Sequence, residues 1–260
     1  MSLRGKTVVI TGASSGIGRA TALEMARRGA NLFLGARRPE QLEETAAACR
    51  AMGVSAAAVV TDVTKRDDCR RLIASAGRVD VLVNNAGYAV YDSVVDANIE
   101  DFRELMDTNY FGTVHCTQAV LPQMLERGEG SIVNVSSITG IMGFARMSAY
   151  CATKAAIIVF TEALRSEVIP RGLKVSLVCP STTKTEFFVK AEFDKMPAAA
   201  RLIPGMKPER VARAICSAAE DGKYRRILPW TNAVYMRMKE IFPRFSHLLM
   251  RRVSSLMERR

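Results

Sequence analysis

Short apolar runs alternate with segments of helical period almost from end to end of the chain. Thr7-Val8-Val9-Ile10 reads as a buried strand, and Ile17 to Arg28 carries apolar residues at helical spacing. Leu32-Phe33-Leu34 predicts the next strand, followed by a helix from Pro39 to about Met52 with proline in its first turn. Further strands are expected at Ala57–Val60, Val79–Val83, Ser131–Val135, Lys174–Cys179 and Arg225–Leu228. Helices are expected at Lys65–Ala76, Ile99–Arg127, Ala149–Ile169 and Pro208–Glu220. Strands of this kind, joined by helical crossovers, predict an α/β fold: a doubly wound, mostly parallel seven-stranded sheet with helices on both faces, the Rossmann architecture. Two stretches break the alternation. Ser181 to Lys207 is a long connection, and the residues from Thr231 onward form a basic tail.

Composition narrows the class without naming it. At 260 residues, with 48% hydrophobic and 24% charged positions, the chain suits one large globular domain, and disorder and coiled coil are excluded. The six cysteines contain no C-x-x-C pair and read as reduced, mostly buried thiols of a reducing compartment. Met1 to Lys6 runs straight into the first strand, which predicts no signal peptide, and the charge-free run Thr108–Leu125 is interrupted by Asn109, His115, Gln118 and Pro122. A cytoplasmic location follows as the expectation. The net charge of +11 suits nucleic acid, an anionic membrane, or an anionic cofactor or substrate, and its placement has to decide.

Thr11-Gly12-Ala13-Ser14-Ser15-Gly16-Ile17-Gly18 follows the first strand and opens the first helix. Glycines at that place allow a tight turn and let the backbone approach a pyrophosphate at the positive end of the helix. The residue after the second strand then selects the dinucleotide. A carboxylate would bond the 2′-hydroxyl of NAD, whereas an arginine accommodates the 2′-phosphate of NADP. The chain reads Gly35-Ala36-Arg37-Arg38, so Arg37 is expected to fork onto that phosphate, with two solvated arginines as the bland alternative. Asp62-Val63 ends the third strand beside the expected adenine position, and Asn84-Asn85-Ala86-Gly87 ends the fourth.

The strand at Ile132–Val135 ends in Ser136-Ser137, and Tyr150 and Lys154 stand on the helix that follows. At i and i+4 the two share one helix face. A nearby ammonium favours the phenolate of a tyrosine whose ordinary pKa of about 10 makes it inert near neutrality.

In these motifs, taken in order and spacing over roughly residues 5 to 230, the sequence resembles the single-domain branch of the short-chain dehydrogenase/reductase family, hydroxysteroid dehydrogenase-like or 3-oxoacyl reductase-like. Asn109, within Asp107-Thr108-Asn109-Tyr110-Phe111-Gly112, matches that family's helix-bending asparagine. The resemblance implies a domain at 1–230 that binds dinucleotide and carries the catalysis, with 231–260 as an extension. It implies four roles. Tyr150 is the general acid in reduction and base in oxidation, and Lys154 lowers its pKa and bonds the nicotinamide ribose. Ser137 polarises the substrate carbonyl, and Asn109 holds a water in a relay toward Lys154. The implied cofactor is NADP(H), held by Gly12, Ser14, Ser15, Gly16, Ile17, Gly18, Arg37, Asp62, Val63, Asn85, Ala86, Gly87, Tyr150, Lys154, Pro180, Thr183 and Thr185. One departure stands out: the family's Pro-Gly after the sixth strand is here Pro180-Ser181, where serine cannot take positive φ cheaply.

Tyr88, Tyr91, Ile138, Met142, Phe144 and Met147, with Phe187, Phe188, Phe193 and Met196 in the long connection, are the pocket candidates; Tyr88, Met142, Phe144 and Phe187 lead among them. They are bulky and mainly apolar, which favours a hydrophobic ketone or secondary alcohol, steroid-like or long-chain. A 3-oxoacyl thioester reductase and a catalytically silent dinucleotide-binding regulator remain the alternatives. From Thr231 the tail holds seven Lys or Arg against two Glu, with apolar residues at helical spacing interrupted at Pro243. Peripheral membrane attachment through this tail is the expectation, with a subunit contact or packing on its own domain as the alternatives. A homodimer or homotetramer is expected, and no nucleic-acid partner, since no such motif is present. Two histidines, His115 and His247, predict no metal site.

Overall fold

The computed structural model describes residues 1–183 and 205–234. Seven parallel strands lie in the order β3-β2-β1-β4-β5-β6-β7. They are β1 Thr7–Thr11, β2 Asn31–Ala36, β3 Ala56–Val60, β4 Val81–Asn84, β5 Ser131–Val135, β6 Lys174–Pro180 and β7 Arg225–Leu228. The predicted doubly wound sheet is therefore present, with strand limits within two residues of expectation. The chain leaves β1 toward β2 and β3 on one side, then returns to build β4 on the other. This reversal opens a crevice at the carboxyl ends of β1 and β4, where open α/β sheets bind their ligands.

Two helical layers explain why the strands are apolar throughout. On one face, α1 (Gly16–Arg27), α2 (Pro39–Arg50) and α7 (Pro208–Asp221) cover Val8, Ile10, Leu32, Leu34, Val83 and Val135. On the other, α3 (Arg66–Ser75), α5 (Gly112–Arg127) and α6 (Ser148–Val168) cover Val9, Leu82, Ile132 and Val175. Alternate residues of each strand thus enter opposite cores. All six cysteines are buried. A polar ladder crosses the second core: Asn84 Nδ2 donates to Thr117 Oγ1 at 3.0 Å and to Asn134 Oδ1 at 2.9 Å, and Asn134 Nδ2 donates to Thr161 Oγ1 at 3.0 Å.

The predicted single helix over Ile99–Arg127 is not one element. It divides into α4 (Ile99–Leu105), a π-helical turn at Met106–Phe111, and α5. Hydrophobic period alone cannot separate an i→i+5 turn from the α-helix around it, and such turns gather at functional sites. The turn contains Asn109, fully buried, whose side chain is bound on three sides. Among the described residues no helix is long and apolar enough to cross a membrane.

Candidate active site

The site is assembled from strand ends. Thr11 closes β1, and its hydroxyl accepts the backbone N–H of Asn85 at 3.0 Å and of Ala86 at 3.1 Å. Asn85 Nδ2 donates back to the Thr11 carbonyl at 3.0 Å. The glycine-rich turn is thereby stitched to the end of β4 across the crevice. A Cβ on Gly12, whose φ is +67°, would stand 2.8 Å from Ala86 Cα, and one on Gly18 would stand 2.1 Å from the Gly12 carbonyl oxygen. These two glycines are packing requirements of the cradle. Ser15 caps α1 without a side-chain bond to it, so the first-turn N–H groups face the crevice, the arrangement that receives a phosphate.

Arg38, not Arg37, lies on that turn. Its Nη2 donates to Ser15 Oγ at 2.7 Å and to Ser14 Oγ at 3.1 Å, while Arg37 is exposed at the rim. Both line the same cavity. Sequence reasoning passed over Arg38 because two adjacent arginines before Pro39 carry no signal for which one turns inward. Asp62 lines the cavity too, but its carboxylate accepts Thr64 N and Thr64 Oγ1, at 3.1 and 2.9 Å, as a local turn. The Val63 carbonyl lies 3.0 Å from His115 Nδ1, so His115 is a hydrogen-bonded residue of the helical layer.

The opposite wall comes from β5 and α6. Ser136 Oγ donates to the Lys154 carbonyl at 2.8 Å, tying the strand end to the helix. Gly140 completes the contact, since a Cβ there would sit 2.5 Å from the Lys154 carbonyl carbon. Ser137 Oγ accepts Thr139 N at 3.1 Å, lies 3.4 Å from the Pro180 carbonyl, and hydrogen-bonds the Tyr150 phenol. Lys154 Nζ donates to the Val135 carbonyl at 3.1 Å and stands 5.6 Å from the centre of the Tyr150 ring.

Burial sets the acid–base state of this wall. It pushes the Tyr150 phenol well above its ordinary value; the Ser137 hydroxyl pulls it back, while Tyr91 and Cys151 add to the rise. The same burial draws the Lys154 ammonium down to about 8, against a smaller opposing pull from Cys179. Tyr88 is pushed up to about 12, by burial first and then by Glu104, whose carboxylate its hydroxyl meets at 3.4 Å.

Asn109 directs its side chain at Tyr88 and Thr153. Its Nδ2 donates to the Tyr88 carbonyl and to Thr153 Oγ1, and its Oδ1 accepts Tyr88 N, each at 3.0 Å. A Cβ on Gly87 would stand 2.7 Å from Asn109 Oδ1 and 3.5 Å from Lys154 Nζ, so glycine is what admits both.

These groups surround one cavity of about 330 Å³. Gly12, Ser14, Ser15, Gly16, Ile17, Arg37, Asp62, Val63, Asn85, Ala86, Gly87, Pro180 and Thr183 line it, with Ser137, Tyr150 and Lys154. Tyr88, Tyr91, Ile138, Phe144 and Met147 form its apolar end. Met142 does not line the cavity, where Ala145 and Met147 stand instead, and Gly18 packs behind the turn against Gly12 and Asn85. Ser181 imposes no left-handed strain, because Arg146 is the one non-glycine residue with positive φ among the described residues. Thr185, Phe187, Phe188, Phe193 and Met196 lie outside the described residues. Arg38, Thr61, Thr108 and Thr182 also line the cavity and were not foreseen.

The family model for short chain dehydrogenase matches residues 6–195. The chain belongs to the short-chain dehydrogenase/reductase family. This oxidoreductase is 32% identical to human 17-beta-hydroxysteroid dehydrogenase 13 over 262 residues, covering 98% of the chain and 85% of that protein. It is 36% identical to the 3-oxoacyl-acyl-carrier-protein reductase FabG of Thermotoga maritima, covering 85% of the chain and 93% of that protein. Among solved structures, a short-chain dehydrogenase from Sphingobium yanoikuyae in complex with NADPH superposes with a TM-score of 0.81 at 30% identity, over 98% of this chain and 96% of that one. A Burkholderia phymatum member in complex with NAD superposes at 0.84 and 26% identity, over 95% of this chain and 96% of that one. The fold binds a nicotinamide dinucleotide, and the glycine cradle and the first-turn N–H groups of α1 fit that group.

Proposed function

We propose that this short-chain dehydrogenase/reductase uses NADP(H) to interconvert a carbonyl and a secondary alcohol on a bulky apolar substrate. The observation that carries the cofactor choice is Arg38 seated on the Ser14 and Ser15 hydroxyls, with Arg37 beside it and no acid after β2 before Glu40. Two guanidinium groups beside the cradle suit a dianionic 2′-phosphate and offer nothing to a bare 2′-hydroxyl beyond what a carboxylate would do better.

The bound cofactor supplies the hydride, and the protein supplies everything that handles the proton. Tyr150 gives its phenolic proton to the carbonyl oxygen in reduction. Ser137, already bonded to that phenol, holds the same oxygen and fixes the approach. Lys154 stabilises the phenolate left behind by its positive charge on the same helix face. Asn109 acts as a positioning residue: by gripping both backbone groups of Tyr88, it sets the strand-end turn between the cofactor cradle and the apolar end of the cavity.

Tyr88, Tyr91, Ile138, Phe144 and Met147 support a hydrophobic ketone. Oligomerisation is supported by the exposed Phe111 and Val159 on neighbouring elements at the foot of α5 and in α6, apolar surface suited to a second copy. The second reading, reduction of a 3-oxoacyl thioester, is favoured by the net charge of +11, which suits an acidic carrier protein. The deciding experiment is NADPH and NADH consumption against steroid, long-chain and aromatic ketones and a 3-oxoacyl thioester, with Tyr150→Phe as control. Turnover of apolar ketones with NADPH, lost in the variant, supports the main reading. Turnover of the thioester alone replaces it with the second, and equal use of NADH removes the cofactor assignment.

A further inference from the structure

One turn of the chain is held in a conformation that its sequence does not favour. Met147 N donates to the Phe144 carbonyl at 3.2 Å and closes the turn Phe144-Ala145-Arg146-Met147. Its third residue, Arg146, has a φ of +61°, whereas Ala145 keeps a negative φ. That is the type II pattern, whose third position ordinarily takes glycine or asparagine. An arginine persists there only where surrounding contacts over-determine the backbone. Met147 then caps α6, and its carbonyl accepts Cys151 N at 2.8 Å. The turn thus feeds directly into the helix that carries Tyr150 and Lys154.

The turn has two sides. Phe144, Ala145 and Met147 line the active-site cavity, and Arg146 does not. Arg146 instead lines a separate cleft together with Asp92 and Asp101. That cleft holds about 10 Å³, room for one water at most, so it is a seam between two chain segments and not a ligand site. Across it the Arg146 carbonyl accepts the backbone N–H of Asp92 at 2.9 Å. Tyr88 and Tyr91, just before Asp92, line the same cavity as Phe144 and Met147. The seam therefore joins the two segments that supply the apolar end, and its charged lining is one arginine and two aspartates.

We propose that Arg146 is a positioning residue for the substrate: through Asp92 and Asp101 it holds the left-handed turn in place, and the turn sets the width of the cavity's apolar end. The inference rests on the reading that this end receives an apolar ketone. Arg146 touches neither the carbonyl nor the cofactor; it acts through Ala145 and Met147. Attraction across the seam offsets the backbone cost, and substitution separates the two. Arg146→Ala keeps the cost and removes the attraction. Arg146→Gly removes both.

The test compares four full-length proteins: wild type, Arg146→Ala, Arg146→Gly and Asp92→Asn/Asp101→Asn. None of the three positions lines the cavity, so NADPH binding by fluorescence titration serves as a folding control. Steady-state kinetics use a 3-ketosteroid and a long-chain 2-ketone as bulky probes and cyclohexanone as a small one. Hydrogen exchange of the Asp92 amide reads the seam directly. In Arg146→Ala and in Asp92→Asn/Asp101→Asn, KM for the bulky ketone should rise about fivefold with kcat within about twofold. KM for cyclohexanone should stay put, and the Asp92 amide should exchange about fivefold faster. Arg146→Gly should bring KM and exchange back to the wild-type range. Unchanged KM and exchange in Arg146→Ala would overturn the proposal. So would Arg146→Gly behaving no better than Arg146→Ala, or an equal loss for bulky and small ketones. If wild type turns over none of the three ketones, the substrate reading fails by itself, and the exchange rates alone decide whether Arg146 holds the turn.

Discussion

The Lys154 ammonium donates to the main-chain carbonyl of Val135 at 3.1 Å, deep in the wall that also holds Tyr150. One carbonyl is a poor exchange for bulk water, and burial is what draws this group down to about 8. An unfolded lysine keeps its proton to about 10.4. Below pH 8 both states are protonated and the folded state bears the whole cost. Between about 8 and 10.4 the unfolded state binds more protons, so stability rises with pH across that window, by up to about 3 kcal/mol. Lys154→Met should remove this rise, and at pH 7 should be more stable than wild type while turnover is lost. Urea unfolding of both proteins at pH 7 and pH 10 checks it.

Tyr150→Phe removes the phenolic proton and little else, since the ring stays in its buried place. Turnover should fall by about a hundred- to ten-thousand-fold with NADPH affinity unchanged. Ser137→Ala should give a smaller loss with the pH profile moved upward, because the one hydrogen bond that pulls the phenol pKa down is gone. Steady-state rates across pH 6 to about 10 separate the two variants.

Arg38→Ala should weaken NADPH binding by about ten- to a hundredfold and leave NADH binding unchanged, since only the 2′-phosphate depends on the guanidinium. Arg37→Ala should produce a smaller change of the same kind. Fluorescence titration of both cofactors gives the two ratios directly. Equal losses for NADPH and NADH would place Arg38 in the upkeep of the glycine turn.

Asn134→Ala opens the polar ladder at its middle rung. It leaves Asn84 Nδ2 with Thr117 alone and strips Thr161 of its donor, next to Asn84 Oδ1, which has no partner among the described residues. The expected cost is about 2–4 kcal/mol, seen as a lowered urea midpoint. Catalysis at saturating cofactor should change little, because the ladder lies beneath the site.

Much of this site is legible in the sequence because its parts are backbone features that only certain residues permit. Gly12 and Gly87 announce close approaches, and the spacing of Tyr150 and Lys154 announces a shared helix face. Features that depend on side-chain direction or helix pitch are not legible. Arg37 and Arg38 are equivalent as letters, and the bond to Ser15 distinguishes them only in three dimensions. Met142 and Met147 share the chemistry of a pocket wall, yet the β5–α6 connection turns only Met147 inward. The π-helical turn around Asn109 leaves no mark in hydrophobic period, and the asparagine itself is its one sign.

The connection between β6 and α7 begins and ends at one point. Thr183 pairs with Met206 in a parallel bridge, and Met206 N donates to the Thr182 carbonyl at 2.8 Å. The 22 intervening residues are thus an excursion whose two ends are already joined. Lengthening or replacing such an excursion costs only slowly growing closure entropy and leaves Ser137, Tyr150 and Lys154 where they stand. Thr182 and Thr183, which line the cavity, are therefore tied to the chain entering α7 by a bond that does not depend on the length of the connection between them.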